Sequence, residues 1–160
     1  MTQFPSRERL VLFVSRVTET MLGQTFQLGE GEPKMDPWRT VVLSIPGPSP
    51  ITVALSSDRH GCSLLAAAML GMDAVSLDAE MIEDTLRELT NMTAGQLKTE
   101  LVLDQALGLP RITDGKTLFA QHCWVHHVLR SDTIELVVSL IAEVDLFQQG
   151  DQPRDAHPRS

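Results

Sequence analysis

A stretch near the middle of the chain carries the side chains whose types and spacing are best suited to chemistry. Asp84, Glu88, Asn91 and Gly95 follow one another at steps of four, three and four residues. On a helix these steps place all four residues along one face, so two carboxylates, a carboxamide and a position without a side chain lie in line. A carboxamide both donates and accepts hydrogen bonds, and it can therefore hold a water molecule.

The opposite side of the same stretch is apolar. At about 100° per residue, a second set of positions shares one face and suits a core, namely Ile82, Leu86, Leu89, Thr93 and Leu97. Asp78 has the position of an N-cap, and Gly108 and Pro110 end the periodic pattern. We therefore predict a long helix from residue 79 to about residue 106, with the polar stripe facing outwards.

The polar stripe contains residues that a surface helix does not need. Glu88 lies four residues after Asp84, a like-charge spacing that is destabilising, and Arg87 is better placed to pair with Asp84 than with Glu88. Gly95 costs about 1 kcal/mol relative to alanine inside a helix, and Asn91 is also a poor helix former. Most surface helices nevertheless have a polar outer face, so the stripe alone also fits an ordinary solvated surface.

The composition excludes several classes of function. The 160 residues include 13 Lys and Arg against 21 Asp and Glu, a net charge of −8. Nucleic-acid binding and polybasic membrane contact both need clustered cations, so neither is expected. No apolar run approaches the roughly 20 residues of a membrane-spanning helix. Two cysteines are too few for a disulfide framework, and we expect a cytoplasmic protein.

The remaining periodicity predicts two further helices and two pairs of strands. The helices fall at residues 6–23 and 61–70, and the second pair of strands at about 117–129 and 133–146. Helices that interrupt strands paired with their sequence neighbours indicate an α+β fold, an antiparallel sheet with helices packed on one face. We expect one domain over residues 1–147 and a disordered tail over 148–160.

The first pair of strands forms a hairpin around the segment Pro46–Pro50, which cannot be strand. Symmetrical folding pairs three residues before this segment with three after it: Ile45 with Ile51, Leu43 with Val53, and Val41 with Leu55. All six side chains then lie on one face of the sheet. Another element must cover that face.

The stripe and its surroundings resemble a known family. The segment Asp84-x-x-x-Glu88-x-x-Asn91 is similar to the signature of the CheC/CheX/FliY phosphatases of bacterial chemotaxis. The run Glu88-Leu-Thr-Asn91-Met-Thr-Ala-Gly95-Gln-Leu-Lys98 resembles CheX-type domains in particular. Two flanking segments resemble the family in content and order: Ala67-Ala-Met69-Leu70-Gly71 and Leu107-Gly-Leu-Pro110.

The resemblance implies a CheC/CheX-like fold and hydrolysis of the aspartyl phosphate on a CheY-like receiver domain, in chemotaxis or related two-component signalling. It implies that Asn91 orients the attacking water and that Glu88 pairs with the receiver's lysine. Asp84 and Gly95 would then belong to the partner-binding face. The receiver would supply the Mg²⁺ and the phosphorylated aspartate, so no cofactor is expected in this chain.

The resemblance also favours the CheX type over the CheC type. CheC-type proteins carry a second Glu-x-x-Asn on the first helix, whereas this chain has Glu19-Thr-Met-Leu22 there. CheX-type members form dimers, and a long strand with an open edge invites pairing with another chain. We therefore expect one site per chain and a homodimer joined through sheet edges.

One alternative function stays open, and two further constellations are disfavoured. A non-catalytic module of the same fold could bind a receiver or assemble a signalling complex. A metal site could involve His122, Cys123, His126 and His127, although on a strand each same-face pair lies about 13 Å apart. His60 and Cys62 could form a nucleophile pair, although buried packing is the ordinary role of such a thiol.

Overall fold

The centre of the molecule is an antiparallel sheet. The computed structural model describes residues 6–23, 25–48, 50–102 and 106–142. The described elements, in chain order, are helix α1 (Arg7–Leu22), strands β1 (Gln27–Leu28), β2 (Arg39–Ile45) and β3 (Ile51–Ser57), helix α2 (Arg59–Leu70), a 3₁₀ turn (Ala74–Ser76), helix α3 (Ala79–Glu100), strand β4 (Arg111–Thr113), helix α4 (Gly115–Ala120), and strands β5 (Val125–Arg130) and β6 (Glu135–Ala142). The strands lie in the order β1-β5-β6-β3-β2-β4, and all neighbours are antiparallel. The predicted α+β class is confirmed.

The hairpin of β2 and β3 has the predicted register. Ile45 lies opposite Ile51, Leu43 opposite Val53, and Val41 opposite Leu55. All six side chains are buried in one core cluster. Period-two alternation fixes this register, because a slip of one residue would turn the apolar set towards the other face.

Pairing of β3 with β6 joins the two hairpins into one sheet. Val53 lies opposite Leu140, and Leu55 lies opposite Val138, so the apolar face continues from β3 into β6. Since β6 also pairs with β5 along its other side, β6 has no open edge. Of the two strands expected to offer an edge for dimerisation, β5 keeps an unpaired stretch on its outer side in the described residues, because β1 pairs there only with Leu129 and Arg130 and the Gly29 N–H donates to the Val128 carbonyl.

Three helices cover this apolar face. The cluster beneath them includes Leu10 and Phe13 from α1, Leu65 from α2, and Leu86 and Leu89 from α3. The side chain of Asp78 accepts a hydrogen bond from the Met81 N–H (2.8 Å) and begins α3 at the predicted residue. Helix α2 begins two residues before the predicted start and ends at Gly71, whose φ of 63° is the left-handed conformation that glycine favours at a helix end.

The prediction of a strand over residues 117–129 is wrong in its first part. Residues 115–120 form α4, because the Asp114 side chain accepts hydrogen bonds from the Lys116 N–H (3.0 Å) and the Thr117 hydroxyl (2.8 Å). Leu118 then packs with Ala54, Trp124 and Ile141 in a second, smaller cluster. Ala54 alternates with core residues of β3, so α4 lies on the sheet face opposite the other three helices.

Helix α3 ends earlier than predicted, at Glu100 rather than near residue 106. The chain must return to the sheet, because β4 pairs with β2 and the Gly108 N–H donates to the Ser44 carbonyl (2.8 Å). Strands as short as β4 and β1 leave no periodic pattern in the sequence, and neither was predicted.

Parts of several predictions lie outside the described residues. These parts are residues 103–105 of the long helix, the end of the last strand (143–146), both ends of the domain over 1–147, and the tail over 148–160. Within the described ranges, no helix has both the length and the apolar character needed to cross a membrane.

Candidate functional site

The orientation of α3 about its own axis is fixed by burial. All five positions of the predicted apolar stripe, from Ile82 to Leu97, are buried. Thr85, Thr90 and Thr93 are also buried, and each hydroxyl donates to the carbonyl four residues earlier (2.7–2.9 Å). These bonds satisfy the hydroxyls within the helix, so threonine can face the core without an orphaned polar group.

The predicted polar stripe lies on the outer side of α3, and its exposure changes along the helix. Asp84 and Glu88 are exposed, whereas Asn91 and Gly95 are half-buried. The second half of α3 is more enclosed because α1 packs beside it, and Arg9 of α1 forms an ion pair with Glu100. The two exposed carboxylates are therefore followed along the helix by a half-buried carboxamide.

The two carboxylates that most closely precede Glu88 on α3 form ion pairs with arginines. Arg87 contacts Asp84 at 2.7 Å and Glu83 at 3.9 Å. Arg39, at the start of β2, donates from Nε to Glu83 (2.7 Å) and ties the first half of α3 to the sheet. The sequence places Arg87 next to both acids, but it could not reveal the Arg39 contact, which joins residues 44 positions apart.

Glu88 and Asn91 form no side-chain hydrogen bond or ion pair with any described residue. Residues three apart on a helix have Cβ atoms about 5–6 Å apart, so a carboxylate and a carboxamide project side by side. Such a pair can bind a cationic side chain and a water molecule next to each other without breaking an existing contact.

Gly95 leaves open space on the same face. A Cβ atom built at Gly95 has no heavy atom within 4 Å, so packing within the described protein does not require glycine there. Because Gly95 has no side chain, the helix surface has a shallow depression one helical turn after Asn91. A partner could therefore approach the helix backbone closely at this position.

An apolar groove next to the stripe was not predicted from the sequence. It has a volume of about 300 Å³ and lies between α2 and α3, lined by Met69, Leu70, Met81, Asp84, Thr85 and Glu88. Two acidic residues of the stripe thus also form part of its wall. Methionines are common on adaptable binding surfaces, and Met69 and Met81 could have indicated the groove. Whether the two methionines lie close together, however, depends on how α2 and α3 pack.

The histidine cluster is not assembled as a metal site. His122 and Cys123 precede β5, while His126 and His127 are consecutive strand residues and point to opposite faces. The Nδ1 atom of His126 lies 2.7 Å from the Ser139 hydroxyl, and burial lowers the pKa of His126. No group of three or more metal-ligating side chains occurs among the residues that the structure describes.

Cys62 is a packing residue rather than a nucleophile. It is fully buried, and its Sγ lies 3.4 Å from the Ser57 carbonyl. Burial raises the pKa of the thiol to about 12, so the reactive thiolate is scarce at neutral pH. His60 is exposed, and the proposed pair is not formed.

Comparison with known proteins places this geometry in a family. Residues 39–129, more than half of the chain, match the family model described as chemotaxis phosphatase CheX. The comparison with curated protein sequences gives no match.

Solved structures share the fold. The chemotaxis protein CheX from Vibrio vulnificus has a TM-score of 0.67 at 16% identity, with 86% of this chain and 99% of that chain covered. A CheX–CheY–BeF3–Mg²⁺ complex from Borrelia burgdorferi has a TM-score of 0.66 at 15% identity, with 88% and 99% covered. Thermotoga maritima FliY has a TM-score of 0.58 at 13% identity, with 93% and 96% covered. These structures agree with the family model, and the chain belongs to the CheX family of chemotaxis phosphatases.

Proposed function

We propose that this protein hydrolyses the aspartyl phosphate of a CheY-like receiver domain. The observation that carries the proposal is the pair of Glu88 and Asn91, whose side chains have no partner among the described residues and lie on the outer face of a helix with polar contacts at both ends. Membership of a phosphatase family supports the activity. The related CheX structure in complex with CheY supports the class of partner.

The mechanism needs positioning rather than covalent catalysis by this chain. The Asn91 carboxamide holds a water molecule in line with the phosphorus–oxygen bond of the acyl phosphate. The water oxygen attacks phosphorus, the bond to the aspartate oxygen breaks, and inorganic phosphate and a free aspartate carboxylate form. Glu88 pairs with a lysine of the receiver and fixes the docking geometry. Mg²⁺ bound by the receiver neutralises charge on the phosphoryl group.

The second candidate is a module that binds a receiver without catalysis. Family membership and the exposed stripe fit binding as well as hydrolysis. Release of phosphate from a panel of phosphorylated receivers separates the two, because a binding module would leave the rate of phosphate loss unchanged or would lower it. Either activity would take place in the cytoplasm, the location expected from the sequence.

Asn91→Ala should abolish phosphatase activity with little loss of stability. Asn91 is half-buried and its side chain makes no hydrogen bond to a described residue, so removal of the carboxamide costs the fold little. Single-turnover phosphate release measures the activity, and chemical denaturation measures the stability. Gln96→Ala is the matched control, because it truncates another half-buried carboxamide of α3 that lies off the stripe. Unchanged activity in Asn91→Ala would remove Asn91 from the mechanism.

Gly95→Ala should stabilise the fold and impair the activity. Replacing glycine inside a helix contributes up to about 1 kcal/mol, and the new methyl group meets no atom within 4 Å. The same methyl group would obstruct a partner that approaches α3 closely. Thermal unfolding and receiver dephosphorylation measured on one preparation test both effects. A more stable variant with full activity would show that Gly95 is not part of the partner-binding face.

Glu88→Ala should mainly weaken receiver binding, whereas Asn91→Ala should mainly lower turnover of the bound complex. Removal of one partner of a desolvated interfacial ion pair costs about 2–5 kcal/mol. A double-mutant cycle between Glu88 and the receiver's lysine tests the contact. Glu19→Ala, at an exposed carboxylate of α1, is the control. Additive effects would mean that Glu88 and the lysine do not meet.

We also propose a homodimer joined through the outer edge of β5. Within the described residues, β1 pairs only with Leu129 and Arg130 of β5, and Val125 at the other end is 42% exposed. Light scattering should give twice the chain mass of 17.7 kDa. Val125→Lys should favour the monomer, because a charge on a strand edge opposes edge pairing. A monomeric mass at every concentration would refute the dimer.

A further inference from the structure

Exposed apolar side chains gather at the end of α2 and on its connection to α3. Leu70, Met72 and Val75 are 43%, 41% and 95% exposed. They are three of the eight large hydrophobic residues that are exposed in the described part of the chain, yet they fall within six consecutive positions. Scattered exposed hydrophobics are normal, whereas a local group with a polar rim is typical of an interaction surface.

This connection lies beside the apolar groove between α2 and α3. Met69 and Leu70 form the α2 wall, and Met81 and Thr85 form the α3 wall. Methionine side chains are flexible and polarizable, so the walls can adjust to the shape of an inserted apolar group. The volume of about 300 Å³ is enough for a side chain rather than for a whole peptide segment.

The groove and the stripe share two residues. Asp84 and Glu88 belong to the stripe and also line the groove. A protein that places a lysine on Glu88 therefore covers the mouth of the groove. Stable complexes bury about 800 Å² on each partner, far more than Glu88 and Asn91 offer by themselves, so the contact must extend onto neighbouring surfaces.

We propose that the groove receives an apolar side chain from the receiver whose phosphoryl group faces Asn91. The inference rests on the proposed function and adds the contact that selects the receiver. The acidic rim formed by Asp84 and Glu88 favours a receiver with a cationic group beside that apolar side chain and disfavours one with a carboxylate there. The groove therefore distinguishes receivers by side chains next to their reaction centre.

This contact should act on binding and not on the chemical step. An apolar side chain in the groove is buried equally in the ground state and in the transition state, so its loss raises KM and leaves kcat unchanged. Asn91 has the opposite signature, because its interaction with water matters in the transition state.

The test uses Leu70→Gln and Met81→Gln, with Leu109→Gln as the matched control. Glutamine is a good helix former, and Leu70 and Leu109 are both exposed. Leu109 lies next to Gly108, which contacts Ser44 of β2, whereas Arg39 of β2 contacts the first turns of α3. Arg39 and Ser44 are about 17 Å apart along β2 at about 3.3 Å per strand residue, so the control lies at the other end of β2 from the contact with the first turns of α3.

Two measurements are made with each variant. The first is saturation kinetics of phosphate release from the receiver in the panel that the unmodified protein dephosphorylates fastest. The second is the Kd for receivers treated with beryllium fluoride and Mg²⁺. We expect KM and Kd to rise about tenfold for both groove variants, a change that corresponds to about 1.4 kcal/mol. We expect kcat to be unchanged in both groove variants. Leu70→Met should keep the affinity of the unmodified protein, and Leu109→Gln should change neither KM nor Kd.

Each remaining outcome decides one of the two proposals. Active groove variants with unchanged KM and Kd, or with effects matched by Leu109→Gln, would overturn the groove contact and leave the phosphatase standing. A fall in kcat alone would also overturn it. If the groove variants weaken receiver binding but neither they nor the unmodified protein release phosphate, the proposed phosphatase activity is overturned and the groove contact is supported. Binding to no receiver would overturn both.

Discussion

The arrangement of the site depends on the burial of one side of α3 against the sheet. The apolar face of β2, β3 and β6 needs a cover, and the stripe from Ile82 to Leu97 provides part of it, beside residues of α1 and α2. Because successive helical residues turn by about 100°, fixing the buried side also fixes the direction of Asp84, Glu88, Asn91 and Gly95. The core thus sets the direction in which the candidate functional residues project. A change that rotated α3 would move all four together.

Polar contacts at both ends of α3 add to this constraint. Asp78 caps the first turn, Arg39 ties Glu83 to β2, and Arg9 of α1 pairs with Glu100. Exposed ion pairs contribute only about 0–1 kcal/mol each to stability, so these contacts supplement the packing of the buried stripe and do not replace it. Water positioned for in-line attack needs a well-fixed helix, since a displacement of about 1 Å can cost a hundredfold in rate.

The sequence predicts those elements whose apolar pattern repeats over enough residues to be recognised. The register of β2 with β3 follows from alternation, and the start and phase of α3 follow from Asp78 and the apolar stripe. The sequence predicts strand where α4 forms, because the six residues of this helix include Leu118 and Phe119, which also suit a sheet. The groove and the Arg39–Glu83 contact depend on how separate elements meet, and no local pattern encodes that. The roles of Glu88 and Asn91 came from a resemblance and stay predictions.

The distribution of charge around Glu88 separates stability from recognition. Arg87 neutralises Asp84 and lies near Glu83, so the like-charge cost of placing Glu88 four residues after Asp84 is reduced. Glu88 itself has no described partner, although an arginine or lysine four residues on, where Met92 stands, would have been placed to pair with it. Gly95 likewise keeps a helix-destabilising residue where alanine would fit. Local choices that weaken a helix and gain nothing inside the fold are expected at functional sites. The two choices lie on the same face, on either side of Asn91, and this placement favours contact with a partner over an ordinary solvated surface.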